Sequence, residues 1–193
     1  MSDNLDLKKT ALVMIDLQKG IVNRPHLEPY SRDEILKKNE LLLAELKNTE
    51  ALIVFVHVKN YGPETLKPVT DAAPVASGTV PEDFSDFVSP LAYDAEIKNK
   101  IHVKKHNWGA FYGTDLDVQL RRRGIENVIL TGIATTIGCD TTAREAYQHG
   151  YNVIAVEDAM TDFNADLHTG IVEGIFKRLG RVRSTEEVLE MIK

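Results

Sequence analysis

The chain has 193 residues, 43% of them hydrophobic and 27% charged, with a net charge of -6, a balance that suits one soluble globular domain with a substantial core. The acidic surplus argues against a nucleic-acid partner, the single cysteine excludes an internal disulfide and a thiolate metal site, and no apolar run approaches the ~20 residues of a membrane span. The polar N-terminal stretch MSDNLDLKK has no apolar signal run, so a cytoplasmic location is expected.

In chain order, Thr10 to Ile15 (TALVMI) is a short, nearly unbroken apolar run that ends at Asp16. Runs this short read as strands buried on both faces of a parallel sheet. Ser31 to Asn48 follows as a predicted helix, with Ser31 and Glu34 at capping-box spacing and Ile35, Leu42, Leu43 and Leu46 at helical spacing. Ala51 to Val58 is a second strand, with His57 and Lys59 at its end. Tyr61 to Pro90 then holds five of the seven prolines and reads as an irregular excursion, a candidate lid or subunit contact. Lys100 to Val103 is a third strand, ending in Lys104 and Lys105. Asp115 to Arg123 is a helix closed by Gly124, and Asn127 to Leu130 a fourth strand. Thr141 to His149 is a helix closed by Gly150, and Tyr151 to Val156 a fifth strand, followed by Glu157 and Asp158. Leu167 to Leu179, a short strand at Arg181 to Arg183 and a capped helix at Ser184 to Ile192 complete the chain. This alternation predicts one α/β domain over 1–193, a three-layer α/β/α sandwich around a mostly parallel six-stranded sheet.

In an open α/β sheet, ligands bind at the carboxyl ends of the strands. Asp16, a lysine from the third strand and the Gly138-Cys139 turn after the fourth could therefore converge on one pocket. Each also has a structural reading: a capping Asp, a solvated Lys-Lys strand end, a small core thiol. His57, Glu157 and Asp158 equally suit hydrogen-bonded packing. No His, Cys, Asp and Glu grouping has metal-ligand spacing, and no glycine-rich phosphate loop is present, so no metal and no nucleotide cofactor are expected.

Several segments together resemble the isochorismatase-like hydrolase superfamily, which includes isochorismatases, nicotinamidases and other cysteine hydrolases. These are IDLQ at Ile15 to Gln18, KHNWGAFYGTDLDVQLRRRGI at Lys105 to Ile125, GIATTIGCDTTAREAYQHGY at Gly132 to Tyr151, and EDAMTDF at Glu157 to Phe163. WGAFYGTDL and LRRRGI are most similar to the family's bacterial YecD-type branch. The resemblance implies a homo-oligomeric hydrolase acting on a small molecule without a cofactor, through a triad of aspartate, lysine and cysteine. The aspartate corresponds to Asp16. The lysine corresponds to Lys105, and since strand neighbours point to opposite faces, Lys104 would then point away. Counting from Gly132 and Thr135 puts the family cysteine at Gly138, with Thr142 in register. Cys139 falls one position later, and one residue at a helix start is a rotation of roughly 100°. The resemblance also implies a non-proline cis peptide near Ala134 and Thr135.

The same likeness supplies a precedent for a missing thiol. Isochorismatases lack the cysteine and cleave a vinyl ether by proton transfer and water attack. In that frame Asp16 is the general acid, and Lys105 tunes it and orients the substrate carboxylate or water. Departures from the isochorismatase pattern, IDLQ at the first strand and Thr135-Thr136-Ile137-Gly138 in the turn, leave the substrate open. A cysteine-dependent amidohydrolase using Cys139 and a non-catalytic metabolite-binding relative are the alternatives. Gln18, His57, Trp108, Phe111, Ala134 and Thr135 are the expected substrate-binding residues, with Trp108 also a candidate core anchor or interface element.

Overall fold

The computed structural model describes residues 4–59, 68–72 and 80–193. Six strands form one wholly parallel sheet: β1 (Thr10–Ile15), β2 (Leu52–Val58), β3 (Lys100–Lys105), β4 (Asn127–Ile133), β5 (Asn152–Thr161) and β6 (Gly180–Arg183), in the order β3-β2-β1-β4-β5-β6. The helices are α1 (Lys19–Val22), α2 (Arg32–Leu46), α3 (Leu116–Arg121), α4 (Asp140–Gln148), α5 (Ala165–Ile171), α6 (Lys177–Leu179) and α7 (Thr185–Met191). The three-layer architecture expected from the alternating pattern is the one observed.

Alternate residues of the central strands feed opposite layers. Ala11, Val13 and Ile15 pack with Leu116 and Leu120 of α3 and Ala143 and Ala146 of α4. Leu12 and Met14 pack with Ile35, Leu42 and Leu46 of α2 and Val188 of α7 on the other side. A strand covered on both faces has no solvent side, so its sequence is apolar at every position. Both predicted capping boxes form, Ser31 with Glu34 and Ser184 with Glu187.

Several elements run beyond their predicted bounds, among them β4, which continues from Leu130 to Ile133. β3 extends through Lys104 and Lys105 because the strand pairs with His57 and Val58 to its end. β5 reaches Thr161 because its register against β4 shifts between Leu130 and Gly132, so that Met160 and Thr161 rejoin the ladder. In that shifted stretch Glu157 accepts a hydrogen bond from Tyr30 Oη at 2.7 Å, and Asp158 accepts from the Thr185 N–H and hydroxyl while pairing with Lys38. Both carboxylates are structural ties. The helix expected over Leu167 to Leu179 begins at Ala165 and passes through a π-helical turn at Val172–Phe176.

Of the proline-rich excursion, residues 61–67 and 73–79 lie outside the described residues. Its later part returns to the segment that follows β1: the Val88 N–H bonds Leu17 O, and Lys19 pairs with Asp83 and Asp86. Among the described residues no helix is long and apolar enough to cross a membrane.

The strand order places a topological switch at β1. The chain leaves it first toward β2 and β3, then crosses to β4 on the other side, opening a crevice at the carboxyl ends of β1 and β4. Gly132 keeps those strands close there, since a Cβ would sit 2.1 Å from Ile15 O and the backbone φ is +123°.

Candidate active site

A cavity of about 290 Å³ fills the crevice, with Asp16, Lys105 and Gly138 in its wall. Asp16 ends β1 with φ at +52°, a left-handed conformation that Asp tolerates better than most side chains but still at a cost of about 1–2 kcal/mol. Such conformations persist where the surroundings enforce them, and they cluster at functional sites. Here the Asp16 N–H bonds Val56 O at 3.0 Å, tying the turned residue to β2.

Lys105 is the last residue of β3 and is 2% exposed, whereas Lys104 beside it is exposed. Its ammonium lies 2.8 Å from Asp16 Oδ2 and donates to Trp108 O at 2.8 Å and Asn107 O at 3.2 Å. Three hydrogens thus meet three acceptors, which is how a buried ammonium is accommodated. Asp16 Oδ1 is buried and meets no donor from the described residues. Burial pushes the Asp16 carboxyl up from its ordinary 3.8 to about 6. The Lys105 ammonium and, more weakly, the Val58 N–H pull the other way. That N–H itself donates to Gln18 Oε1 at 2.7 Å. The outcome is a carboxyl with one oxygen held by a cation, the other unengaged, and a proton affinity set between acid and base roles.

Opposite Asp16, β4 ends in a cis peptide between Ile133 and Ala134, one bond earlier than expected, followed by a π-helical turn at Thr135–Cys139 that leads into α4. A Cβ added to Gly138 would stand 3.4 Å from Asp16 Oδ2 and 2.8 Å from Ile15 Cγ2. Position 138 therefore faces the aspartate, and the Ile15 methyl occupies space a side chain there would need. Cys139 points the other way. It is fully buried in the layer between the sheet and α4, with Sγ 3.8 Å from Thr131 O, and burial pushes its thiol well up.

The Isochorismatase domain matches residues 10–187. The chain belongs to the isochorismatase family. It is 44% identical to the uncharacterized isochorismatase family protein YwoC of Bacillus subtilis, over 98% of this chain and 97% of that one. It is 39% identical to the uncharacterized isochorismatase family protein YecD of Escherichia coli O157:H7, over 97% and 98%. A solved isochorismatase family protein from Burkholderia thailandensis matches with a TM-score of 0.85 at 40% identity, over 98% of this chain and 97% of that one. The family resemblance carried by the motifs holds, and the chain is a hydrolase of the isochorismatase family.

Within that isochorismatase-family frame, the expected binding residues divide. Trp108 and Ala134 line the cavity, Trp108 with 63% of its surface exposed. Four others do not line it. Gln18 is buried and clamps backbone, donating to Val58 O and Phe84 O while accepting from the Val58 N–H. His57 stacks on Phe87 at 4.7 Å and bonds Ser85 O. Phe111 packs against His149 and Tyr151 in the core. Thr135 bonds the buried His168 Nδ1 at 2.7 Å. The cavity instead recruits Ile21, Arg24, Val58, His106, Asn107, Ile133, Ile137 and Phe163 beside the expected residues. Phe163 belongs to the EDAMTDF segment, where the motif could have flagged it; Arg24 follows a four-residue helix and carries no pattern.

The thiol geometry has a direct readout. Thiolate is the reactive form, and a buried thiol with a raised pKa supplies almost none of it. Iodoacetamide labelling of the folded protein, followed by intact mass from pH 5 to 9, is expected to be slow throughout and to accelerate only on unfolding. Rapid labelling below pH 7 would contradict the buried position.

Proposed function

We propose that this hydrolase works without a covalent nucleophile, cleaving an acid-labile bond in a small organic acid by proton transfer between Asp16 and substrate. An enol ether is the substrate class that suits it. The observation that carries the reading is Gly138: the residue facing Asp16 has no side chain, while the one thiol is packed into the opposite core layer.

The chemistry follows from the carboxyl's two oxygens. Asp16 Oδ2 stays with Lys105, and Oδ1, which meets no donor from the described residues, carries the proton. Protonating the vinyl carbon turns the ether carbon into an oxocarbenium ion. Water adds to that carbon and returns a proton to Asp16. The hemiketal then collapses to a ketone and an alcohol. The carboxylate left after donation is stabilised by the Lys105 ammonium, so Lys105 acts on the reaction through Asp16. Its hydrogens are already committed to Asp16, Asn107 and Trp108, so it is not the group that orients a substrate carboxylate.

The test is a substrate panel. Enol-pyruvyl ethers would be scored by pyruvate release, and primary amides and esters by ammonia and acid release. Pyruvate release that survives Cys139→Ala and is lost in Asp16→Asn is expected. Amide hydrolysis abolished by Cys139→Ala would replace this reading with thiol catalysis.

A further inference from the structure

Arg24 is the remaining strong cation of the cavity. Lys105 shares that wall, but its three hydrogens are bonded to Asp16 and two carbonyls. No carboxylate of the described residues lies within ion-pair distance of Arg24. Its guanidinium instead sits 5.7 Å from the centroid of the Phe163 ring, another cavity-lining side chain. An aromatic face holds a guanidinium in place while leaving its edge N–H groups open to solvent or to a planar anion. The backbone is constrained as well. The Arg24 N–H bonds Ile21 O at 3.1 Å, and Pro25 restricts the residue before it to extended conformations. Arg24 also lines an adjoining depression of about 470 Å³ with His26 and Arg32, which places it at the mouth of the catalytic cavity.

We propose that Arg24 is the specificity residue of this pocket: its guanidinium, backed by Phe163, binds a carboxylate of the substrate and sets the scissile bond over Asp16. The rest of the lining suits a compact apolar body between these two ends, with Ile21, Val58, Ile133 and Ile137 contributing hydrocarbon. The substrate class is thus a small monoanionic or dianionic carboxylic acid with an apolar or cyclic core. The inference deepens the acid-catalysed reading and rests on it for the position of the scissile bond, but carboxylate binding itself does not depend on turnover.

Binding therefore tests it separately. Benzoate, cyclohex-1-ene-carboxylate and pyruvate, each beside its neutral primary-alcohol counterpart, would be titrated by calorimetry and protein NMR. The proteins are wild type, Arg24→Met, Arg24→Lys and Asp16→Asn. Arg24→Met keeps a flexible apolar side chain over Phe163 and removes the charge. At least one carboxylate is expected to bind wild type in the millimolar range or tighter and at least tenfold more weakly to Arg24→Met, with Arg24→Lys between them. The alcohols should bind wild type and Arg24→Met equally, and Asp16→Asn, which removes a negative charge from the same cavity, should bind carboxylates at least as tightly as wild type. Equal carboxylate affinity in wild type and Arg24→Met, or no carboxylate binding to wild type at all, would overturn the assignment. Loss of turnover chemistry at Asp16 with Arg24-dependent binding intact would remove only the acid-catalysed reading.

Discussion

Asp16→Asn is expected to lower kcat by about 10²- to 10⁴-fold, the usual contribution of a positioned general acid. The substitution is well suited to the position. Asn tolerates the left-handed backbone that Asp16 adopts at φ +52°, and its amide oxygen can still accept from Lys105. What it lacks is the proton to give. The pH profile separates acid from base. With the carboxyl near 6, kcat/KM should be level below that value and fall about tenfold per pH unit above it, since only the protonated form donates. A profile that rises through 6 would make Asp16 a base and end the acid-catalysed proposal.

The same displacement has a stability counterpart. Because the folded-state value lies above the ordinary 3.8, the native protein binds more protons than the unfolded chain between the two values. This group's contribution is therefore complete below about pH 4 and is lost as pH rises through about 6. From 3.8 to about 6 the difference is about 3 kcal/mol. Urea unfolding of wild type and Asp16→Asn at pH 4 and pH 7 should show wild type losing about that much relative to the variant. A gap independent of pH would place the carboxyl at its ordinary value.

Which parts of this site were legible in sequence follows from the range of the forces involved. Asp16 and Lys105 stand at strand ends, and strand periodicity is local, so alternation puts Lys104 and Lys105 on opposite faces, while the family motif says which of the two is the buried one. Gly138 and Cys139 divide in a similar way: a rotation of roughly 100° at a helix start sends them in different directions, and the family register, counted from Gly132, says which of them faces the aspartate. Gln18 and His57 mislead because a polar residue at a strand end reads the same whether it meets a substrate or a carbonyl. Their partners, Phe84 O and Ser85 O, arrive from the far end of an irregular excursion whose path no periodicity predicts. Arg24 was invisible for the opposite reason. It lies in a short turn with no repeat, and only the tertiary approach of Phe163, far along the chain, turns it toward a cavity. The overrun of β5 has the same character, since the shifted register against β4 is a pairing property and Val156 looks like the end of its apolar run.

Lys105→Met should be the most destabilising single substitution in the site, by about 3–5 kcal/mol at pH 8, because it breaks a buried ion pair and leaves one charge behind. It also removes the donor from the Asn107 and Trp108 carbonyls. The pH dependence identifies the charge as the main cause. Without the ammonium, only the weaker pull of the Val58 N–H offsets burial, so the Asp16 carboxyl moves above its wild-type value of about 6. Below that value Asp16 is protonated in both proteins and the variant has no buried carboxylate to accommodate. The deficit at pH 5 should therefore be clearly smaller than at pH 8, with the lost carbonyl hydrogen bonds as its remainder. Adding Asp16→Asn to Lys105→Met should recover part of the pH 8 deficit, since the pair is then replaced on both sides. Residues in contact are not additive, and here the coupling should favour the double variant over the sum of the singles. Denaturant midpoints of the four proteins at the two pH values decide it. Equal deficits at pH 5 and pH 8, or strict additivity, would mean that Lys105 supports the site by its bonds to the Asn107 and Trp108 carbonyls and not by its charge on Asp16.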